Sequence, residues 1–417
     1  MKKQNSRYRW VVFGSVLFTY LLMSSQRTAP GLITDQLMVD FGVTASIIGL
    51  VTSVQFFVYT ALQIPMGVLA DRYGPNFFLI IGAILTGLGI IIYSNSTHII
   101  VLFLARILTG IGDATIWVNM VSIMSQWLNR KEFIRLIGVA GMAGSLGFLL
   151  ATLPVSTMIV WFGWRNVFLF GGVLLSLFGI LLYFVLIKKP KQLFPEVFVV
   201  EKELQREKTF DLLRKVLSNR QPWALFFCHF GIVGGYIGFI GSWAVPYGID
   251  VYRMTRTNAS QLIMISLLGA LIGAPLISWV SSKLENIKKP YLIFYLITIL
   301  CWLAILLFNG KPPLYLLFTL FFVMGFSFGA NSLTFAFVRQ YFPIKESGIV
   351  TGIANTGGFL SAVLLPSVFG YILDYFHSVS GSMIDGYYNG FVTPFLFSII
   401  GLFGLISMKE QPHGGGV

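Results

Sequence analysis

Long apolar segments alternate with short polar ones along nearly the whole chain. Segments such as 77–92 and 291–307 contain no charged residue, and with their flanks they approach the ~20 residues that a helix needs to cross ~30 Å of hydrocarbon. The pattern predicts an all-α membrane protein. The twelve predicted spans are 10–36, 44–69, 75–94, 98–126, 133–159, 164–187, 223–250, 258–281, 290–308, 312–340, 346–372 and 387–407.

One longer polar segment, from Lys188 to Gln221, interrupts this pattern. Its charges alternate in sign, which is typical of a solvated helix at the membrane surface. Six predicted spans lie on each side of it. We therefore expect one six-helix bundle in residues 1–187, a cytoplasmic linker with a charged helix in 188–222, and a second six-helix bundle in 223–417.

The two halves of the chain contain a repeat. Residues 126–132, Gln-Trp-Leu-Asn-Arg-Lys-Glu, recur 214 positions later as residues 340–346, Gln-Tyr-Phe-Pro-Ile-Lys-Glu. At the same offset Gly138 matches Gly352, and Gly144 matches Gly358. A repeat at half the chain length indicates two parallel bundles, with the substrate site expected between them.

Composition agrees with a membrane protein and limits its partners. Hydrophobic residues make up 56% of the 417, and charged residues only 11%, against about 25% in soluble domains. The net charge of +13 comes from Lys and Arg before the first span, in the linker and in every second loop. This positive-inside pattern predicts cytoplasmic termini and contact with membrane lipid rather than nucleic acid.

Cysteine and histidine spacing gives no sign of a metal site or cofactor. Cys228 and Cys301 both lie in apolar segments, and the four histidines are widely separated. No nucleotide-binding loop is present, so this chain does not encode an ATP site that could drive transport. No nucleophile–base pair is visible either, which argues against an enzyme.

Residues 67–74, Gly-Val-Leu-Ala-Asp-Arg-Tyr-Gly, lie between the second and third predicted spans. They resemble the corresponding loop of the major facilitator superfamily. The resemblance implies a twelve-helix transporter with a conformational latch on its cytoplasmic side, formed by Gly67, Asp71, Arg72 and Gly74. A charged turn without such a role is the alternative. The matching stretch of the second half, residues 281–283, has no acid, so we expect its latch to be absent or weaker.

Two further segments extend the resemblance. Residues 106–112, Arg-Ile-Leu-Thr-Gly-Ile-Gly, resemble the family's fourth-span signature, and the glycine-rich fifth span lacks the Gly-Pro pair of drug antiporters. Residues 20–30, with Arg27 before Thr-Ala-Pro, are similar to the first span of anion:cation symporters and of bacterial phagosomal amino-acid transporters. Those symporters place Asp before the arginine, where this chain has Gln26.

Three charged residues fall deep in predicted spans: Arg27, Arg106 and Asp113. Charges at membrane depth are costly and usually functional. A guanidinium suits a carboxylate or phosphate, so we expect Arg27 to bind an anionic substrate, with a structural ion pair as the alternative. Arg106 either binds substrate or, as the family resemblance implies, organises the first and fourth spans or tunes the protonation of a neighbouring acid. Burial favours the protonated carboxyl, so Asp113 is the candidate for proton coupling, with a hydrogen-bonded structural acid as the alternative.

The second half offers polar and aromatic candidates instead of charges. Tyr236, Trp243 and Tyr247 share one face of the seventh span, where packing is the alternative to ligand contact. His229 is expected to be a hydrogen-bonded core histidine. Gly234, Gly235, Gly238 and Gly241 suit either a bending helix or close packing. The full set of candidate substrate-binding residues is Arg27, Tyr20, Tyr59, Arg106, Tyr236, Trp243, Asn331 and Asn355.

These features together predict a secondary transporter, coupled to protons or sodium, for a small anionic or zwitterionic organic solute such as an organic acid or amino acid. We expect a monomer in a bacterial inner membrane. A drug or metabolite efflux antiporter of the same fold is one alternative, and a membrane receptor without transport activity is another.

Overall fold

The computed structural model describes residues 4, 6–43, 45–195 and 209–409. Within these ranges the chain forms helices joined by short turns, and no strand is found there. The helices of residues 4–195 are α1 (Tyr8–Thr28), α2 (Thr34–Phe41), α3 (Ala45–Tyr73), α4 (Pro75–Ser94), α5 (Ile99–Trp127), α6 (Arg130–Phe162), α7 (Trp164–Tyr183) and α8 (Lys189–Leu193).

Eleven more helices follow in residues 209–409. They are α9 (Thr209–Ser218), α10 (Arg220–Val233), α11 (Phe239–Ser242), α12 (Ala244–Tyr252), α13 (Arg256–Leu284), α14 (Lys288–Leu307), α15 (Leu314–Phe328), α16 (Ser332–Tyr341), α17 (Ser347–Ser380), α18 (Met383–Gly390) and α19 (Val392–Ser407).

Turn residues set several of these boundaries. Gly74 has φ 87° and directly precedes Pro75, the first residue of α4. Gly163 has φ 76° directly before α7. Glycine tolerates a positive φ, and proline suits the first turn of a helix, so both helices begin where the sequence predicts.

Eleven described helical segments are long and apolar enough to cross a membrane. Helix α1 is not among them, although its 21 residues would span about 31 Å. Its last turns carry the polar run Ser24-Ser25-Gln26-Arg27, which lowers its hydropathy. The all-α fold with about twelve spans is confirmed, with α1 as the most polar span.

Several predicted spans are interrupted by 3-10 or π-helical turns. The prediction of one helix over 10–36 is wrong, because α1 ends at Thr28 and a 3-10 turn, Ala29–Leu32, follows at Pro30 and Gly31. The span predicted at 223–250 contains a π-helical turn, Gly234–Gly238, and a second break at Trp243. Such turns are frequent at functional sites.

The structure consists of two compact units. The first comprises the described residues of Met1–Arg130, Ala143–Val216 and Phe342–Gly352. The second comprises the described residues of Lys131–Met142, Leu217–Tyr341 and Ile353–Val417. Each unit thus takes in a short segment from the other half of the sequence, and these segments overlap the repeated stretches 126–132 and 340–346. The domain boundaries expected from the sequence stay a prediction.

One pair of repeated glycines, Gly138 and Gly352, occupies matching environments in the two units. In the second unit a Cβ at Gly138 would lie 2.2 Å from the carbonyl oxygen of Ala274. In the first unit a Cβ at Gly352 would lie 2.4 Å from the carbonyl oxygen of Gln63. Only glycine fits at such distances, so each repeat copy uses its glycine for close contact between helix backbones.

Candidate functional site

A buried carboxylate forms the centre of the polar cluster in the first unit. Asp113, on α5, is 1% exposed. Its Oδ2 accepts hydrogen bonds from Arg27 Nε at 3.1 Å and from Gln55 Nε2 at 2.9 Å. Its Oδ1 accepts one from Thr86 Oγ1 at 3.1 Å. Donors from α1, α3 and α4 therefore converge on one side chain of α5.

Arg106 joins this cluster through an amide. Its Nη1 donates to Gln55 Oε1 at 2.8 Å, so Gln55 bridges Arg106 and Asp113. The Arg106 guanidinium also lies over the ring of Tyr93, 4.2 Å from the ring centroid. No hydrogen-bond partner for its Nε and Nη2 is found among the described residues. Arg106 and Asp113 are not directly paired, and the sequence analysis did not predict the bridge.

Arg27 combines an ion pair with an aromatic contact. Its side chain is 7% exposed, and its guanidinium lies 4.3 Å from the ring centroid of Tyr59. Tyr20, one predicted candidate, packs its ring against Trp117 at 4.8 Å. The structure thus brings the candidates Arg27, Tyr59, Arg106 and Asp113 into one cluster in the first unit.

The glycines of the fourth-span signature explain how the donors reach Asp113. A Cβ at Gly110 would lie 2.8 Å from the backbone oxygen of Gln55. A Cβ at Gly112 would lie 2.4 Å from Thr86 Oγ1. Glycine at these two positions lets α3 and α4 approach α5 closely, which places an amide and a hydroxyl beside the carboxylate of Asp113.

The cluster carries an excess of positive charge. Arg27 and Arg106 are cations and Asp113 supplies one compensating anion, which leaves a formal charge of +1. Buried charges need partners, and an unpaired excess charge in the membrane is a favourable place for an anion.

Sequence reasoning missed Gln55 and Thr86. A signal for Gln55 was present, since it is an amide in an otherwise apolar stretch of α3 and polar groups at membrane depth are functional candidates. Thr86 gave no such signal, because threonine is common in membrane spans, where its hydroxyl usually donates to a carbonyl oxygen of the same helix.

Gln26, at the position of the symporter aspartate, lies against Gly171 of α7, where a Cβ would come within 2.4 Å of its Nε2.

The aromatic candidates of the second unit are packed and hydrogen-bonded. Tyr236 is 4% exposed, accepts a hydrogen bond from Ser266 Oγ at 3.0 Å and stacks on Phe328 at 4.1 Å. Trp243 Nε1 donates to the carbonyl oxygen of Pro366 at 3.1 Å. Both side chains therefore have structural partners whether or not a substrate contacts them.

The remaining candidates of the second unit differ in burial and in their partners. Asn331 ends the 3-10 turn Gly329–Asn331 and is half-buried, and Asn355 is a buried residue of α17. Tyr247 is fully buried and donates to the carbonyl oxygen of Gly310 at 2.7 Å. His229 Nδ1 lies 3.2 Å from Thr334 Oγ1, the arrangement expected of a hydrogen-bonded core histidine.

The predicted latch contains a helix cap. In the first unit, Asp71 accepts hydrogen bonds from the backbone N–H groups of Gly348 at 2.8 Å and Ile349 at 2.7 Å, in the first turn of α17. A carboxylate there satisfies two free N–H groups and interacts favourably with the helix dipole. A Cβ at Gly67 would lie 2.3 Å from the carbonyl oxygen of Gly348, so Gly67 permits the approach.

The other residues predicted to form the latch make local contacts. The guanidinium of the exposed Arg72 lies 4.9 Å from the ring centroid of its neighbour Tyr73, and Gly74 forms the turn before α4. In the second unit, Ser282 Oγ donates to the carbonyl oxygen of Lys131 at 3.1 Å, and the Lys131 side chain pairs with Glu285. An acid is thus present there, two residues beyond the stretch 281–283.

Within the described residues no group of three or more His, Cys, Asp or Glu could hold a metal ion. Membrane-spanning helices that carry a buried ionic cluster are typical of membrane transporters. The family model of the Major Facilitator Superfamily matches residues 16–366 and 252–415. The chain belongs to this family.

Several known proteins are similar to the chain. A probable hexose phosphate transport protein of Chlamydia muridarum is 23% identical over 69% of this chain and 68% of its own. A probable sulfoacetate transporter of Cupriavidus necator is 23% identical over 89% of each chain. A membrane sensor protein of Escherichia coli is 24% identical over 89% of this chain and 88% of its own.

Solved structures share the fold. A proton:xylose symporter bound to 6-bromo-6-deoxy-D-glucose superimposes with a TM-score of 0.72 at 16% identity, over 96% of this chain and 95% of the other. At this identity the likeness concerns the fold alone.

Proposed function

We propose that the protein is a secondary transporter that moves a small organic anion together with a proton. The single observation that carries the proposal is the buried ion pair of Arg27 and Asp113, inside a cluster of formal charge +1. Both side chains are nearly inaccessible in the present arrangement. A group that competes for Arg27 would therefore change the environment of Asp113 directly.

The proposed coupling is an exchange of partners at Arg27. A substrate carboxylate or sulfonate binds the guanidinium and displaces Asp113, because Arg27 suits planar anionic groups. Asp113 then loses its cationic partner while it stays buried, and burial without a cation favours the protonated carboxyl. The proton binds a carboxylate oxygen of Asp113 and is released when the ion pair forms again. Substrate binding and proton uptake are thereby linked.

Charge and relatives favour an organic anion over a neutral solute. The cluster has one unmatched positive charge, and Arg106 retains two guanidinium nitrogens without a hydrogen-bond partner among the described residues. Two similar proteins are named for the transport of hexose phosphate and sulfoacetate, both anionic. We extend this to a small organic acid or a zwitterionic amino acid, carried by a monomer in a bacterial plasma membrane with cytoplasmic termini. Tyr20 and Tyr59 complete the proposed site in the first unit.

Uptake into proteoliposomes tests the proposal. The purified protein is reconstituted, a pH gradient is imposed, and radiolabelled carboxylates, a sulfonate, a sugar phosphate and a neutral sugar are offered in turn. We expect accumulation of at least one anion and none of the neutral sugar. Replacing the proton gradient by a sodium gradient distinguishes the two coupling ions.

Two variants and a control make this assay specific. Arg27→Ala is expected to abolish uptake, whereas Asp113→Asn is expected to retain exchange of labelled for unlabelled anion but to lose accumulation driven by the pH gradient. Lys289→Ala removes an exposed cation outside the cluster and should transport like the wild type. Wild-type rates in Arg27→Ala would show that the cluster does not bind the substrate.

A sensor is a second candidate, because one relative is named a membrane sensor protein. A sensor would bind its anion without moving it. Binding of a labelled anion by the purified protein, without accumulation or exchange in the same proteoliposomes, would favour the sensor and exclude the transporter.

A further inference from the structure

The amide of Gln55 has its orientation fixed by its two partners. Arg106 Nη1 can only donate a hydrogen bond, so it requires the Oε1 atom of Gln55. The Nε2 atom of Gln55 must then face Asp113, to which it donates at 2.9 Å. With 1% of Gln55 exposed, water cannot readily replace either partner.

This orientation has a consequence for the two oxygens of Asp113. Oδ2 faces Arg27 Nε and Gln55 Nε2, which are both donors only. A proton on Oδ2 would therefore point at other protons. If the Gln55 amide turned over, its Oε1 atom could accept a hydrogen bond from a proton on Oδ2. Its NH₂ group would then face the Arg106 guanidinium, so that two donors would be in contact.

Oδ1 differs from Oδ2. Its partner is the hydroxyl of Thr86 at 3.1 Å, and a hydroxyl can donate to a carboxylate or accept from a protonated carboxyl. When Arg27 leaves, a proton on Oδ1 can thus be satisfied by rotation of the Thr86 hydroxyl alone, with Gln55 and Arg106 unmoved.

We propose that Gln55 is a positioning residue that links Arg106 to Asp113, keeping Oδ2 an acceptor so that the transported proton binds Oδ1 beside Thr86. The inference rests on the proton coupling proposed above. Arg106 then sets the proton affinity of Asp113 through the amide and not only through its charge. This role of the signature arginine of α5 in proton binding does not depend on contact with the substrate.

Other titratable groups surround Asp113 and belong to any account of its pH response. Arg27 and Tyr20 face it from α1, and Tyr59 lies beside Arg27 on α3. Tyr93, on α4, faces Arg106. The variants used below leave all of these in place, so their effects are common to every protein compared.

Infrared titration of the full-length protein in liposomes tests the inference. The C=O stretch of the protonated carboxyl is recorded from about pH 5 to about pH 9, and the Asp113 signal is identified by its loss in Asp113→Asn. The measured quantity is the pH of half-protonation in wild type, Gln55→Met, Arg106→Met and the double variant. We expect the effect of Arg106→Met to be smaller by about half a pH unit or more when Gln55 is already replaced.

Additive effects of the two substitutions would overturn the inference, because the charge of Arg106 would then act without Gln55. If Gln55→Met does not fold, Gln55→Glu retains an acceptor for Arg106 and puts a second carboxylate beside Oδ2. Two carboxylates at that separation share a proton, so the pH of half-protonation should rise by about one unit or more. No rise would equally contradict the inference.

Glutamine and threonine variants locate the proton. In Gln55→Met the C=O band of the protonated Asp113 should move to higher wavenumber, because the carbonyl oxygen is then Oδ2 and loses its donor. Thr86→Val removes only the acceptor of the O–H and should shift the band less, whereas Thr86→Ser should retain the wild-type band. A larger shift in Thr86→Val than in Gln55→Met would show that Oδ1 is the carbonyl oxygen, which would place the proton on Oδ2 and refute the assignment. The absence of any Asp113 band in the wild type would overturn proton coupling itself, which separates the two failures.

Discussion

Arg27 Nε lies 3.1 Å from Asp113 Oδ2, with 7% and 1% of the two side chains exposed. The two residues are 86 positions apart and come from α1 and α5. Each was a separate candidate in the sequence, one for substrate and one for the proton. Their contact makes the two roles dependent on each other, since Arg27 cannot bind a substrate anion without weakening its ion pair with Asp113.

The ion pair predicts a specific pattern of stability. Asp113→Asn or Arg27→Gln alone leaves a buried charge without its partner, which costs about 3–5 kcal/mol in comparable cases. The double variant removes both charges and is expected to be more stable than the sum of the single effects implies. Apparent unfolding temperature in detergent, followed by tryptophan fluorescence, measures this. Strictly additive losses would mean that the pair contributes nothing as a pair.

Helix approach at the two signature glycines can be tested with alanine. Gly110→Ala and Gly112→Ala each place a Cβ within 3.0 Å of an atom of α3 or α4, so either change should displace Gln55 or Thr86. We expect uptake to fall at least about tenfold, because a small misplacement of functional groups is costly.

Gly14→Ala is the matched control, since among the described residues no atom outside its own helix backbone and chain neighbours lies within 4 Å of a Cβ there. It should leave uptake unchanged and stabilise α1 slightly, as alanine is the better helix former. If Gly112→Ala behaves like Gly14→Ala, the close approach of α4 is not required for function.

The contacts of Asp71 and Arg72, two residues of the predicted latch, lead us to expect different results when each is replaced. Asp71→Ala removes both acceptors from the first turn of α17 and should lower the apparent unfolding temperature, with loss of a cap costing about 1 kcal/mol. Arg72→Ala removes an exposed guanidinium whose described contact is the ring of Tyr73 and should have little effect on unfolding.

Transport measurements on the same two variants decide which residue acts in the cycle. We expect the uptake rate to fall in Asp71→Ala and to stay within about twofold of wild type in Arg72→Ala, because exposed interactions of this kind are weak. A large loss in Arg72→Ala, with Asp71→Ala active, would assign the latch to the arginine.

Much of the fold follows from the sequence, because a long apolar segment in lipid must form a helix to satisfy its own backbone hydrogen bonds. The breaks at Ala29–Leu32 and Gly234–Gly238 could not be located, since apolar periodicity does not show where a helix changes its hydrogen-bond pattern. At the site, Arg27, Arg106 and Asp113 were identifiable because charges are rare in spans. Their bridge through Gln55 depends on helix contacts about 50 residues apart in sequence, which no local pattern encodes.

The aromatic residues of the second unit give the final prediction. Tyr236 OH accepts from Ser266 and keeps its own proton to donate, whereas the single N–H of the Trp243 ring is already bonded to Pro366. If Tyr236 contacts an anion, Tyr236→Phe should raise the KM for uptake by about two- to tenfold, the equivalent of one hydrogen bond.

Trp243→Phe should leave KM nearly unchanged, since phenylalanine preserves the stacking on Phe369 and the lost N–H was not available to a substrate. Its apparent unfolding temperature should nevertheless fall, because the carbonyl of Pro366 loses a donor. Measuring both quantities in both variants separates packing from ligand contact. If KM rose in Trp243→Phe but not in Tyr236→Phe, the assignment would be reversed and Trp243 would be the residue that contacts the substrate.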